Sequence, residues 1–161
     1  MRPEDGPAIT PEESGVESRR ILDELLTTQR LGVLATHHEG APYASLVAFV
    51  ASEDHSHILF ATSRATRKFA NIEANPRVAM LIDNAREQPV DFETAAAATA
   101  TGRAVELIGD ERAEAAERFL QAHPHMRQFV SSPTTAFLCI EVGSYQVVRR
   151  FQHVTELHLD R

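Results

Sequence analysis

Residues 60–78, FATSRATRKFANIEANPRV, decide the fold that this sequence predicts. They continue a short apolar run, residues 58–61, whose length and flanks are those of a buried strand. Thr62 and Ser63 end that run with two hydroxyl groups, placed where a helix can begin. Residues 65–73 then have helical spacing, so the segment predicts a strand, a hydroxyl-bearing turn and a helix in succession.

The predicted helix has one apolar and one polar face. Phe69 and Ile72 lie three positions apart and point toward a core, while Asn71 lies among residues that can face water or a ligand. The helix ends at Asn75-Pro76, because the residue before a proline is pushed out of the helical conformation.

The start of this helix has the residue types of an anion site. Ser63 and Thr66 can donate hydrogen bonds to phosphate oxygens, and Arg67 and Lys68 can neutralise their charge beside the free N–H groups of the first turn. In the alternative interpretation, Thr62 or Ser63 only caps the helix and the two bases are solvated. The local residues leave both interpretations open, since no glycine-rich loop is present.

Composition limits the classes of function. The 161 residues suffice for one domain with one core, and the net charge of −7 argues against a general nucleic-acid surface. The clustered bases Arg64, Arg67 and Lys68 suit one small anion better than a polyanion. Cys139 is the only cysteine, which excludes an intrachain disulfide. No apolar run approaches the roughly 20 residues that cross a bilayer, so we expect a cytoplasmic protein that contacts no membrane.

The rest of the chain predicts a small antiparallel barrel with helices packed outside it. In the strand predicted at residues 41–51, Ser45 shares one face with Tyr43 and Val47, where it either meets a ligand or packs beside small core residues. Strands are predicted at residues 32–36, 41–51, 57–61, 77–82, 94–107 and 135–148, and helices at residues 10–29, 65–73, 111–122 and 126–130.

Three further expectations concern single elements. The strand at residues 77–82 is almost continuously apolar and predicts burial on both faces. The small residues 95–100 predict close approach of two backbones, in a barrel wall or a subunit interface. Asp110 is expected to cap the helix that follows it.

The order of these segments resembles the pyridoxamine 5′-phosphate oxidase-like superfamily. The similar stretches are GVLATHHEGAPYASLVAF, LFATSRATRKFANIEANPRVAMLI, TATGRAVEL and TAFLCIEVGSYQVVRRF, within residues 21–151, and the most specific lies at residues 62–78. The resemblance implies a six-stranded antiparallel split β-barrel of the FMN-binding type with flanking helices. We therefore expect one such domain at residues 13–161, preceded by a flexible tail at residues 1–12.

The resemblance also implies a homodimer that holds FMN at its interface. Thr62 and Ser63 would contact the flavin phosphate or ribityl chain, and Arg67 and Lys68 would hold the phosphate. The backbone around Ser45 would run under the isoalloxazine ring. The complete set implied to bind the cofactor is Ser45, Leu46, Val47, Thr62, Ser63, Thr66, Arg67, Lys68 and Asn71.

Departures from the family pattern argue against a true pyridoxamine 5′-phosphate oxidase. The C-terminal RRFQHVTELHLDR does not match the arginine- and histidine-bearing motif that holds the substrate phosphate, and alanines occupy residues 95–98, where the family has a glutamine. Three hypotheses follow: an FMN-dependent oxidoreductase of unidentified substrate, a flavin-binding or electron-shuttling module, and a haem-binding or haem-degrading protein using His153 or His158. The sequence identifies no catalytic residue, and His123-Pro124-His125 predicts a helix end rather than a metal site.

Overall fold

The computed structural model describes residues 11–85, 94–150 and 153–159. It contains eight strands, four α-helices and one short 3₁₀ helix. In chain order these are α1 (Pro11–Thr28), β1 (Leu31–His38), β2 (Ala41–Ala48), β3 (Val50–Ala51), β4 (His57–Ser63), α2 (Arg67–Ala74), β5 (Arg77–Asp83), β6 (Ala96–Leu107), α3 (Gly109–Ala122), the 3₁₀ helix (Pro124–Met126), α4 (Arg127–Ser131), β7 (Thr135–Arg149) and β8 (His153–His158).

The strands form one antiparallel sheet that curls into a barrel. Their order is β2-β1-β5-β6-β7-β4-β3, and β8 pairs with β7 outside this path. β2, at one end of the order, packs against β4 near the other end, which brings the sheet round on itself. The predicted antiparallel split barrel with flanking helices is therefore confirmed.

The sheet has two more strands than the six predicted. The predicted strand at residues 41–51 is interrupted at Phe49, whose N–H donates to the carbonyl of Arg30 rather than to the ladder, so that β2 and β3 are separate. The second addition, β8, lies in the C-terminal segment, for which no strand was predicted. Residues 1–10 of the predicted tail lie outside the described part of the chain.

The barrel interior is apolar and tightly filled. Tyr145, Phe60 and Ile140 are fully buried there together with Ala98 and Ala100, so these two alanines of β6 belong to the barrel wall. On the outside, α3 and α4 cover a second apolar cluster that includes Phe119 and Phe137, with their rings edge to face.

β5 corrects one expectation. The strand was predicted to be buried on both faces, but its residues alternate, with Met80 buried and Leu81 40% exposed. An apolar run alone cannot distinguish a strand covered on both sides from one whose outer face is open in the single chain.

The register of β6 and β7 shifts near Gly102. Gly143 is passed over between the pairs Thr101–Ser144 and Gly102–Val142, as in a β-bulge of β7. Gly102 packs so closely on β7 that a Cβ atom there would lie 2.1 Å from the carbonyl oxygen of Glu141. Only glycine fits at this crossing.

α1 and α2 bury apolar faces, but the cap predicted for α3 differs. Leu22, Leu25 and Leu26 of α1 are buried against the barrel. α3 begins one residue before the predicted cap: its N-cap is Ile108, no side chain caps it, and Asp110 lies within the first turn. In the part of the chain that the structure describes, no helix is both long and apolar enough to cross a bilayer.

Candidate functional site

The turn between β4 and α2 is organised by hydroxyl groups. Thr66 is the N-cap of α2, since its Oγ1 accepts from the N–H of Phe69 at 3.4 Å. The same hydroxyl lies 2.9 Å from Thr62 Oγ1 and 2.9 Å from the carbonyl oxygen of Ser63. The alternative interpretation, in which Thr62 or Ser63 caps the helix, is therefore wrong. Thr62 is 2% exposed, and its hydroxyl forms a hydrogen bond with the capping hydroxyl of Thr66.

The predicted cluster of three bases is divided by the fold. Arg64 forms an ion pair with Glu106 on β6, and its guanidinium lies 5.4 Å from the centre of the Phe69 ring. Its backbone N–H donates to the carbonyl oxygen of Thr134. Arg64 thus fastens the turn to the barrel. Arg67 and Lys68, in the first turn of α2, are the two cations left for a ligand.

Arg67 joins α2 to β2. Its guanidinium carbon lies 5.3 Å from the centre of the Tyr43 ring, a cation–π contact that holds the exposed charge over β2. Ser45 shares that face of the strand with Tyr43, one side-chain repeat farther along. We call the region formed by Tyr43, Ser45, Ser63, Arg67 and Lys68 the β2–α2 mouth.

Two polar groups of the mouth lack partners among the described residues. Ser45 Oγ is buried without a hydrogen bond. Lys68 is half-buried and has neither a hydrogen bond nor an ion pair there. Desolvation lowers the pKa of the Lys68 ammonium from its ordinary value. Lys68 is also the only lysine of the chain, a signal that sequence reasoning overlooked.

The edge of β2 offers backbone groups to the mouth. Leu46 is 52% exposed and Val47 is buried, so the two side chains point to opposite faces. β2 ends the strand order and pairs only with β1 among the described strands, which leaves alternate N–H and C=O groups unpaired along its other edge.

The side chain of Asn71 is buried and does not reach solvent at the mouth. It is 4% exposed, and its Nδ2 donates to Thr36 Oγ1 on β1 at 3.0 Å. The expectation that Asn71 can face water is therefore wrong, and its contact ties α2 to the barrel. Tyr43, which sequence reasoning placed on the correct face without a role, is the residue that supports Arg67.

The histidines form no metal site in the described residues. No group of three or more histidine, cysteine and acidic side chains lies close enough there to hold an ion. His123 is buried, with Nε2 2.9 Å from the carbonyl oxygen of Phe49, as expected for a helix end. On β8, His153 and His158 are exposed, and His158 lies 3.4 Å from Glu156. Burial raises the pKa of the Cys139 thiol to about 11.

The sequence profile of the family pyridoxamine 5′-phosphate oxidase matches residues 20–149. The chain belongs to the pyridoxamine 5′-phosphate oxidase family. The resemblance seen in the sequence is thus confirmed, and the match includes every residue of the β2–α2 mouth. No curated protein matches the chain.

Solved structures from several bacteria have the same fold as this family member. It is 19% identical to a haem-binding protein from Mycobacterium smegmatis, with a TM-score of 0.76 over 94% of this chain and 60% of that one. General Stress Protein 26 from Bacillus anthracis str. Sterne is 17% identical, with a TM-score of 0.66 over 89% and 98% of the two chains. A FAD-binding protein from Mesorhizobium loti is 21% identical, with a TM-score of 0.60 over 77% and 88%. This chain spans less than two thirds of the mycobacterial protein.

Proposed function

We propose that this protein binds FMN in the β2–α2 mouth and is an FMN-dependent oxidoreductase. The observation that carries the proposal is the contact between Arg67 and Tyr43, because it brings the cationic first turn of α2 beside the face of β2 that holds the unpartnered Ser45 hydroxyl. A phosphate requires cations and donors on a rigid frame, and the mouth supplies both.

The residues of the mouth fit the parts of FMN. Lys68 and Arg67 would neutralise the phosphate, and Ser63 would donate to one of its oxygens. Ser45 Oγ would gain from the cofactor the partner that the protein does not supply. The open edge of β2 at residues 45–47 offers backbone donors and acceptors for the polar rim of the isoalloxazine ring. Thr62, Thr66 and Asn71 would act from behind, by fixing the turn and the helix.

We further propose that two copies of the chain complete the site. Leu46, Val33 and Leu81 form a continuous row across β2, β1 and β5 on the outer face of the sheet, and the two leucines are 52% and 40% exposed. An apolar row of this kind is typical of a subunit interface. In such a dimer the outer face of β5 would be buried, so that this apolar strand would be covered on both faces.

The chemistry would come from the cofactor. When bound, FMN supplies an acceptor or donor of hydride. The chain would orient it, hold its phosphate and exclude water from one side. An electron-shuttling module would bind FMN in the same way, and NAD(P)H-driven reduction of the bound flavin distinguishes the oxidoreductase from it.

The test of cofactor binding is an absorbance spectrum of the purified protein after incubation with FMN and desalting. Flavin bands at about one equivalent per chain support the proposal, and a double variant with Ser63→Ala and Lys68→Ala should lose them. A protein that retains haemin but refuses FMN would overturn it and favour the haem hypothesis, which the similarity to the Mycobacterium smegmatis protein motivates.

The test of the homodimer is molecular mass in solution by light scattering. Leu81→Glu places a charge on the proposed interface and should yield monomers, while Val154→Glu, at a 62% exposed position on β8, should leave the dimer intact. A monomeric parent protein, or a dimer unaffected by Leu81→Glu, would contradict the proposed interface.

A further inference from the structure

A cavity outside the β2–α2 mouth is bordered by α1. Its volume is about 430 Å³, within the range of small-molecule sites. It lies between α1 and the ends of β5, β6 and β7, and none of the nine residues implied to bind FMN lines it. The side chains that matter for its chemistry are Glu17, Arg20, Ile21, Leu25, Arg149 and Arg150.

Arg149 is the unusual residue of this cavity. It is 6% exposed, and its Nη2 donates to Ser14 Oγ at 3.2 Å. Its Nε is buried and has no hydrogen-bond partner in the described residues. A buried guanidinium N–H without an acceptor is costly, because the group has given up water and received nothing in exchange. A ligand oxygen in the cavity would remove this deficit.

Arg20, which also lines the cavity, differs from Arg149 because its guanidinium has acceptors. Arg20 donates to Glu17 from Nε at 3.1 Å and from Nη2 at 2.6 Å, and to Glu24 from Nη1 at 3.2 Å. The two carboxylates that line the cavity, Glu17 and Glu24, are thereby paired with Arg20. Arg149 and Arg150 act on Glu17 only through the longer-range field that helps to lower its pKa, after its hydrogen bond with Arg20.

The charge of the lining therefore favours a monoanion. Arg20, Arg149 and Arg150 line the cavity together with Glu17 and Glu24, so one positive charge is unmatched within the described lining. One carboxylate would balance it, whereas a doubly charged phosphate would leave an excess of negative charge beside Glu17. Arginine also matches a carboxylate geometrically, because Nε and one Nη can donate to its two oxygens in parallel.

One part of the cavity wall is apolar, beside polar lining from Thr28, Gln29 and Asn84. Ile21 and Leu25 lie one turn apart on the same face of α1 and line the cavity next to its arginines. From this combination we propose that the cavity between α1 and the end of β7 binds a small monocarboxylic acid, with its carboxylate on Arg149 and its apolar chain against α1. The site is independent of the proposed flavin site.

The test uses hexanoate as the probe and the full chain preincubated with FMN, so that the β2–α2 mouth cannot take up the probe. Binding is measured by saturation-transfer NMR and calorimetry, with hexanol and inorganic phosphate as comparisons. We expect hexanoate to bind at least tenfold more tightly than hexanol, because hexanol lacks the charge-assisted contact. Equal binding of the two, or binding of phosphate in preference to hexanoate, would overturn the proposal.

Variants of Arg149 and Glu17 test the attractive and the repulsive charge of the cavity separately. Arg149→Met should weaken hexanoate at least tenfold, and Arg127→Met, at an exposed position on α4, should leave it unchanged. Because Arg149 is buried and its loss could prevent folding, Glu17→Gln gives an independent readout of opposite sign. Removal of this half-exposed carboxylate should tighten hexanoate about two- to fivefold. No change in Glu17→Gln, or weaker binding, would refute the assignment.

Discussion

Replacement of Lys68 by methionine is the sharpest probe of the proposed flavin site. The change removes the charge and keeps the length of the apolar stem. Lys68 is half-buried and has no acceptor in the described residues, so its contact with a phosphate would be less screened than an exposed ion pair. A hydrogen bond between charged groups contributes about 1.5 to 3 kcal/mol. We therefore expect Lys68→Met to weaken FMN by about one to two decades.

Riboflavin is the matched ligand control, because it has the ring and the ribityl chain without the phosphate. Affinity for both is measured by quenching of flavin fluorescence during titration. Riboflavin binding should be equal in the parent protein and in Lys68→Met, and Arg127→Met controls for the loss of one positive charge. Equal losses for FMN and riboflavin would refute the phosphate assignment, since they would indicate damage to the ring site or to the fold.

The pH dependence of the same lysine provides a second test, with a defined sign. Burial lowers the pKa of Lys68 in the free protein, and only the protonated form attracts a phosphate. FMN affinity should therefore fall as pH rises through this lowered pKa, below the ordinary lysine value of about 10.4. Without flavin, the unfolded chain binds the extra proton in that interval, so the free energy of unfolding should rise with pH. Lys68→Met should abolish both trends, and a parent affinity that stays constant up to the ordinary lysine pKa would contradict this prediction.

Two further predictions concern stability and are measured by urea denaturation. Gly102→Ala should destabilise the protein by about 1 to 3 kcal/mol or more, because the new Cβ would lie 2.1 Å from the carbonyl oxygen of Glu141, whereas Gly143→Ala, whose Cβ would be 3.7 Å from its nearest neighbour, should cost less. The reverse order would contradict the register of β6 and β7. Asn71→Leu should cost about 1 to 3 kcal/mol by leaving the Thr36 hydroxyl buried without its donor, and adding Thr36→Val should recover part of that loss. Additive losses in the double variant would show that the hydrogen bond is not the cause.

The sequence was sufficient for the barrel and for the local pattern of β2 and α2. Period-two alternation in β2 correctly placed Tyr43 and Ser45 on one face, and Asn75-Pro76 correctly marked the end of α2. These features depend on residues close together in the chain. Local spacing alone is enough to predict them.

The errors occurred where a distant partner decides the outcome. Asn71 lies among polar neighbours on its helix, yet Thr36, at a sequence separation of 35 residues, draws it into the core. Arg64 was grouped with the phosphate-binding bases, but Glu106, 42 residues away, takes it to β6. The separation of β3 from β2 depends in the same way on a carbonyl at Arg30. No local pattern contains this information.

The same distant contacts support the proposal that the mouth holds a ligand. Arg64, Thr62 and Asn71 are all satisfied by protein groups, and each one fixes a different part of the turn or of α2. With the frame already ordered, Lys68 and Ser45 keep free hydrogen-bonding capacity, and a phosphate would not have to order them first. If all polar groups of the turn had protein partners, none would be free to bind a ligand. If none had partners, binding would have to order the turn, and the affinity would be lower. The division between satisfied and unsatisfied groups favours a built site over a solvated helix end, and it does so without reference to the family.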